Sequence, residues 1–197
     1  MEIPREPDSK AESILDAAFE QFRAYGYRRT SMEDIARAAG VSRPALYLHF
    51  RNKEEIFVCC AERLHEAGLA SAEEALKGAG TAEERVRNAL DAKVCGFLSV
   101  MASSPHGAEL VDENSRLCAE LASRTEARMH KMLTRAFREA ARNGELDLKR
   151  AGLGAEAAAE LIRLSAYGLK HPAPDEDTFR RRLKALASVF FAGLRPG

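Results

Sequence analysis

Residues 26–57 read GYRRTSMEDIARAAGVSRPALYLHFRNKEEIF, and this stretch decides the architecture of the N-terminal part of the chain. Ser31 with Asp34 three residues on is an N-cap pattern, opening a short helix that Gly40 ends. Ser42 caps a second short helix, from Arg43 to about His49, with Pro44 in the first turn, where a missing amide costs little. Two short helices meeting at Gly40-Val41-Ser42 make a helix-turn-helix over 31–50, and Gly40 tolerates the positive φ that such a turn needs. Ile35, Ala36, Val41, Leu46 and Phe50 are spaced to hold both helices on one small core. Arg43, Ala45, Tyr47 and His49 are thereby left to face outward. Leu46-Tyr47-Leu48-His49-Phe50 alternates like a strand, but a lone five-residue strand would have no partner elsewhere in the chain.

Helical signals continue on both sides. Leu15, Ala18, Phe19 and Phe22 share one helical face, opened by Asp8 or Ser9 and closed at Gly26. Asn52 followed by Glu55 starts a long fourth helix with Phe57, Cys60, Ala61 and Leu64 on one side. Thr81 and Glu84 form a capping box, and Val86, Leu90, Val94, Phe97 and Met101 follow at helical spacing until Ser103-Ser104-Pro105. A longer stripe carries Leu117, Leu121, Met129, Met132, Leu133 and Phe137 to Asn143-Gly144. Two final helices span roughly 154–170 and 175–194, separated by His171-Pro172-Ala173-Pro174. Composition agrees: Ala occurs 35 times against 17 for Val, Ile and Thr together, which favours helix over strand. The fold expected is all-α with about nine helices.

Thirty Lys+Arg balance thirty Asp+Glu, so overall charge offers no argument for a nucleic-acid partner. Local charge does. Between residues 21 and 53 lie seven Lys/Arg (Arg23, Arg28, Arg29, Arg37, Arg43, Arg51, Lys53) and two acids (Glu33, Asp34). A positive excess concentrated on a helix-turn-helix is the electrostatic footprint of a duplex-DNA binder. No apolar run approaches the roughly 18 residues of a bilayer span, and the N-terminus MEIPREPDSKAE is too polar for a secretory signal, so no membrane partner and a cytoplasmic location are expected. Cys59, Cys60, Cys95 and Cys118 show no C-x-x-C pairing and are expected as reduced, small hydrophobes.

The segments T-S-M-x-D-I-A at 30–36, A-G-V-S at 39–42, L-Y-x-H-F at 46–50 and N-K-E-E at 52–55 together resemble the DNA-binding domain of TetR-family transcriptional regulators. Beyond residue 60 the likeness lies in chain length, helix count and the paired C-terminal helices. The resemblance implies a helix-turn-helix DNA-binding domain over 1–53 and a helical ligand-binding and dimerisation domain over 54–197. It further implies a homodimer on a near-palindromic double-stranded operator, usually a repressor released by a small-molecule effector, without cofactor or metal.

Site residues follow from the matched motif. Arg43 near the start of the recognition helix suits guanine O6/N7, and Ala45 either touches a thymine methyl or lets the helix approach. Tyr47 and His49 resemble phosphate-contacting positions, as do Thr30, Ser31, Ser42 and Lys53, while Pro44 removes one amide from that end. For the effector pocket the resemblance points to Leu64, Phe97, Met101, Cys118, Leu121, Thr125, Met129, Leu133 and Tyr167. Thr125 interrupts an apolar stripe with a hydroxyl, and methionines adapt to varied ligands. Phe179, Leu183, Leu186, Phe190 and Leu194, with Ala158, Ile162 and Ser165 from the preceding helix, are the expected dimer interface.

Other chemistry has little support. Gly152-Leu-Gly154-Ala-Glu-Ala157 imitates a dinucleotide-binding turn but lacks the preceding strand. No Ser, Cys or Lys sits in a nucleophile motif, so no enzyme is expected. The rival reading is a helical ligand- or partner-binding module that does not recognise an operator.

Overall fold

The computed structural model describes residues 9–170 and 174–196. Among the described residues there are nine helices: α1 (Ser9–Tyr25), α2 (Met32–Ala38), α3 (Arg43–His49), α4 (Lys53–Lys77), α5 (Ala82–Ala102), α6 (Gly107–Leu117), α7 (Ala119–Arg142), α8 (Ala155–Gly168) and α9 (Glu176–Ala192). They fall into two units. The first holds the chain up to Leu64 together with Val100–Leu121, and the second holds His65–Ser99 with Ala122 onward.

In the first unit α1 buries Ile14, Leu15, Ala18 and Phe22, the face its periodicity marks. Phe22, Tyr27 and Phe57 pack ring against ring, with centroids 5.1–5.6 Å apart. Each such aromatic pair contributes about 0.5–1.5 kcal/mol beyond the area it buries. Leu110, Cys118 and Leu121 close the same core. The unit holding the helix-turn-helix thus extends past residue 53 into α4 and takes in α6. Cys118 (φ −114°, ψ 19°) separates α6 from α7 inside the stripe that the sequence reads as one run.

In the second unit Phe137 stacks on Phe191 (5.7 Å) and meets Phe190 edge-on (6.1 Å). The Arg85 guanidinium donates to both oxygens of Glu145 at 3.0 Å, and the Asp147 N–H donates to the Leu194 carbonyl (2.8 Å), tying the C-terminal end down. Asp175 caps α9 by accepting from the Thr178 N–H (2.7 Å).

Two sets of expected site residues lie in this part of the fold. Ala158, Ile162, Phe179, Leu183 and Leu194 are at most 2% exposed and belong to the core of their own chain. Leu186 and Phe190 pack partly on that core, and only Ser165 is exposed. The most apolar stripe of each helix is consumed inside the protomer. The large apolar and aromatic side chains that α8 and α9 leave exposed are Leu161 (47%), Leu164 (49%), Tyr167 and Val189 (77%).

Among the expected pocket residues, Leu64 is half-buried, Cys118 and Leu121 belong to the first core, and Met129 and Leu133 to the second. The Thr125 hydroxyl is buried and donates to the Ala122 carbonyl of its own helix (3.0 Å), so it is already satisfied. Tyr167 is not enclosed: it is 48% exposed, with the Lys170 ammonium 4.5 Å from its ring centroid. The side chains of Phe97 and Met101 lie outside the described residues.

Candidate nucleic-acid interface

The interface is built by caps and one turn. Ser31 closes a capping box with Asp34: the Asp34 N–H donates to the serine hydroxyl (3.2 Å), and the carboxylate accepts from the Ser31 N–H (3.0 Å). The Ser31 hydroxyl also donates to that carboxylate (2.5 Å), and this bond first, then the one from the Ser31 N–H, with Arg37 nearby, holds the Asp34 carboxyl below its ordinary range. Gly40 takes φ +64° and redirects the chain so that the Val41 N–H reaches the Ala36 carbonyl (3.0 Å). Ser42 then caps α3 by accepting from the Ala45 N–H (3.2 Å), with Pro44 at the start of the helix.

With Leu46 and Phe50 anchored in the core, α3 turns its other side to solvent. Arg43 is 61% exposed, 3.9 Å from Glu33, with its guanidinium 5.8 Å from the Tyr47 ring centroid. Ser42, Pro44 and Tyr47 are exposed, and Ala45 and His49 are half-buried. Leu48 stands 86% exposed in the middle of the helix. Sequence reading passed over Leu48, although its place two residues from the buried Leu46, about 200° round the helix, marks it as outward-facing. An apolar side chain presented this openly beside cationic and phenolic groups suits a thymine methyl in a major groove.

Thr30 and Lys53 serve the scaffold first. The Thr30 hydroxyl is buried and donates to the Gly26 carbonyl (2.7 Å), so it is turned away from solvent. The Lys53 ammonium donates to the carbonyls of Tyr27 (2.7 Å) and Thr30 (2.8 Å) and sits 4.3 Å over the Tyr27 ring. Partial burial pushes its pKa down. Two of its three donors are thereby used to pin the start of α4 to the 27–30 turn. Ser31, by contrast, is exposed at its cap.

Other charged groups surround this surface. Gln21, Tyr25, Arg29, Asp34 and Arg37 line a cleft of about 390 Å³ beside α1 and α2, adding two arginines to the cationic face. Behind it, α6 grips the turn that follows α1. Glu109 accepts from the Arg28 N–H (2.7 Å), and the buried Glu113 accepts from Arg28 (3.4 Å) and Arg116 (2.8 Å). Ser104 donates to the Arg23 carbonyl (2.7 Å). Gly26 has φ +82°, and a Cβ there would collide with the Glu109 carboxylate. The sign of φ favours glycine, and any larger residue must also displace that carboxylate.

Comparison with known proteins fits this geometry. Residues 14–59 match the family described as bacterial regulatory proteins, tetR family. The HTH-type transcriptional regulator ArpR of Pseudomonas putida is 31% identical over 156 residues, 71% of this chain and 71% of that protein. The HTH-type transcriptional activator FasR of Mycolicibacterium smegmatis is 32% identical over 112 residues, 57% of this chain but only 48% of its own length. Among solved structures, SmeT, the repressor of the Stenotrophomonas maltophilia multidrug efflux pump SmeDEF, superposes with a TM-score of 0.67. That match covers 94% of this chain and 90% of SmeT at 24% identity, and so speaks for the fold. The exposed recognition helix, its capped partner and these likenesses lead to one conclusion: the chain belongs to the TetR family of DNA-binding transcriptional regulators.

Proposed function

We propose that the protein is a homodimeric repressor that leaves a palindromic operator when a small-molecule effector binds. The observation that carries this reading is the outward face of α3, where Arg43, Tyr47 and Leu48 stand exposed within a segment bearing a surplus of positive charge. Arg43 reads a guanine edge, Leu48 and Ala45 meet base methyls, and Ser31, Ser42, Tyr47 and His49 position the backbone. Lys53 orders the turn that presents them. On this reading residues 1–53 carry operator contact, and 54–197 carry effector binding and dimerisation.

Dimerisation is assigned to the surface faces of α8 and α9, where the apolar Leu161, Leu164 and Val189, with the small Ser165, are left exposed by a single protomer. A two-fold axis through those faces sets two recognition helices on successive major grooves, roughly 34 Å apart. The naming of SmeT as a repressor, and its solution in complex with triclosan, support the repressor and small-effector parts of the reading. The naming of FasR as an activator shows that relatives work in both directions. A hundredfold loss of operator affinity on effector binding needs about 2.7 kcal/mol of coupling. α4, which contributes residues to both units, is the element to carry it. Operator binding also sets the location expected for the protein, the cytoplasm.

The test is Arg43→Ala, measured by fluorescence anisotropy on an operator duplex at fixed salt. The reading expects at least a tenfold weaker complex and an unchanged two-protomer mass in sedimentation. Equal affinity of variant and parent would transfer the weight to a ligand- or partner-binding module that does not read an operator.

A further inference from the structure

In the second unit, polar side chains from four helices form two pairs, α4 with α5 and α7 with α8, that act on each other. α4 supplies His65, α5 Lys93, α7 Glu126 and α8 Arg163, and Lys170 follows directly after α8. Arg163 pairs with Glu126 at 3.1 Å, both half-buried. The Lys93 ammonium donates to His65 Nδ1 at 3.2 Å. That bond leaves Nδ1 without a proton and puts the ring proton on Nε2, itself buried. Burial, with Lys93 beside it, pushes the imidazole down to about 4, so His65 is neutral at physiological pH.

The charges in this cluster do not balance. Lys93, Arg163 and Lys170 supply three cations, and Glu126 is the one carboxylate that acts on both lysines. Glu66, the other acid near Lys93, is already paired with Arg128. Among the described residues neither Lys93 nor Lys170 forms an ion pair with a carboxylate, and Arg163 Nε is buried with no acceptor. Burial lowers the pKa of both lysines, against a partial offset from Glu126 and, at Lys170, the Tyr167 ring. Lysine is seldom taken out of water without an opposite charge, because desolvation of the ammonium is costly.

The backbone accommodates this arrangement. A Cβ at Gly68 would meet the Lys93 carbonyl oxygen at 3.4 Å and Lys93 Cδ at 3.7 Å. These are ordinary contact distances, and they place the Lys93 stem against α4 at this point.

We infer that His65, Lys93, Arg163 and Lys170, with Glu126 orienting Arg163, form the subsite for an oxyanion, and that the effector is a small molecule bearing a carboxylate or a phosphate monoester. The bound anion supplies the negative charge that the cluster lacks. This inference rests on the reading of the second unit as the effector-binding part of the chain.

The experiment is isothermal titration of the full chain, without DNA, with four probes of equal tail length: octanoate, octyl phosphate, octanol and octylammonium. The inference expects at least one anion to bind tenfold or more tightly than octanol, about 1.4 kcal/mol, and octylammonium to bind more weakly than octanol. The tighter of the two anions identifies the oxyanion. Lys93→Met and Lys170→Met are each expected to weaken that anion at least tenfold, to leave octanol unchanged, and to melt no lower than the parent. Octanol binding as well as both anions, preference for octylammonium, no anion binding at all, or full anion affinity in both folded Met variants would each overturn it. The ranking of the four probes by the parent protein decides the matter even where a variant fails to fold. Because DNA is absent, a protein that binds octanoate but no operator refutes the regulator reading and keeps the site. One that binds operator and no anion does the reverse.

Discussion

Gly26 and Gly40 share a left-handed backbone, φ +82° and +64°, but not their surroundings. At Gly40 an added Cβ meets nothing within 4 Å, whereas at Gly26 it runs into the Glu109 carboxylate and lies 3.2 Å from the His106 ring. Alanine in the left-handed region costs about 1–2 kcal/mol, and the loss of unfolded-state freedom returns about 0.4–1 kcal/mol of that. Gly40→Ala should therefore destabilise by about 1 kcal/mol. Gly26→Ala adds the displacement of Glu109 from the Arg28 N–H, a charged hydrogen bond of about 1.5–3 kcal/mol. The total for Gly26→Ala is about 2–4 kcal/mol. Urea unfolding followed by circular dichroism at 222 nm measures both, since both glycines lie in the same unit. In a Glu109→Ala background the cost of Gly26→Ala should fall to that of Gly40→Ala. If Gly26→Ala costs no more than Gly40→Ala, or its excess survives removal of Glu109, then α6 does not hold the turn through that carboxylate.

Further outcomes follow from the same packing. Val189→Glu, on a side chain 77% exposed, should halve the sedimenting mass and leave helicity intact, whereas Phe179→Ala, in the core, should cost about 3–5 kcal/mol of stability. The hydrogen bond from Arg116, with the charges of Arg116 and Arg28, holds the Glu113 carboxyl below its ordinary range. Its stabilisation is therefore complete above about pH 4.3 and lost as pH falls through the lower folded value. Glu113→Gln should make stability less steep in acid urea titrations. Burial pushes the thiols of Cys60 and Cys95 to about 12 and Cys118 to about 11. At pH 8 a disulfide reagent should label the less buried Cys59 first and the other three only as the chain unfolds.

Local signals were legible from sequence because short-range chemistry fixes them. Ser31, Ser42, Asn52 and Thr81 each cap the helix that their spacing indicates, and Gly40 takes the positive φ that its turn requires. Arg43 and Tyr47 emerge exposed because Leu46 and Phe50 fix the inward face of α3. Pairings distant in the chain were not legible. Glu109 reaches Arg28 across 81 residues, and neither glutamate of α6 differs in sequence from an ordinary solvated acid. Thr30 and Lys53 look like phosphate anchors by type, yet nearby carbonyls engage them first. α8 and α9 each carry apolar residues on two faces, so periodicity alone could not tell the stripe buried at Phe179 and Leu183 from the exposed Leu161, Leu164 and Val189.

The central claim is that this chain reads duplex DNA as a symmetric dimer. Its most direct test is selection of binding sites from random duplex DNA by the purified protein, followed by affinity measured against salt. The account expects an inverted repeat whose half-sites lie about one helical turn apart, with affinity falling steeply as salt rises. Failure to enrich any sequence, from protein shown to be folded and freed of bound small molecules, would contradict it.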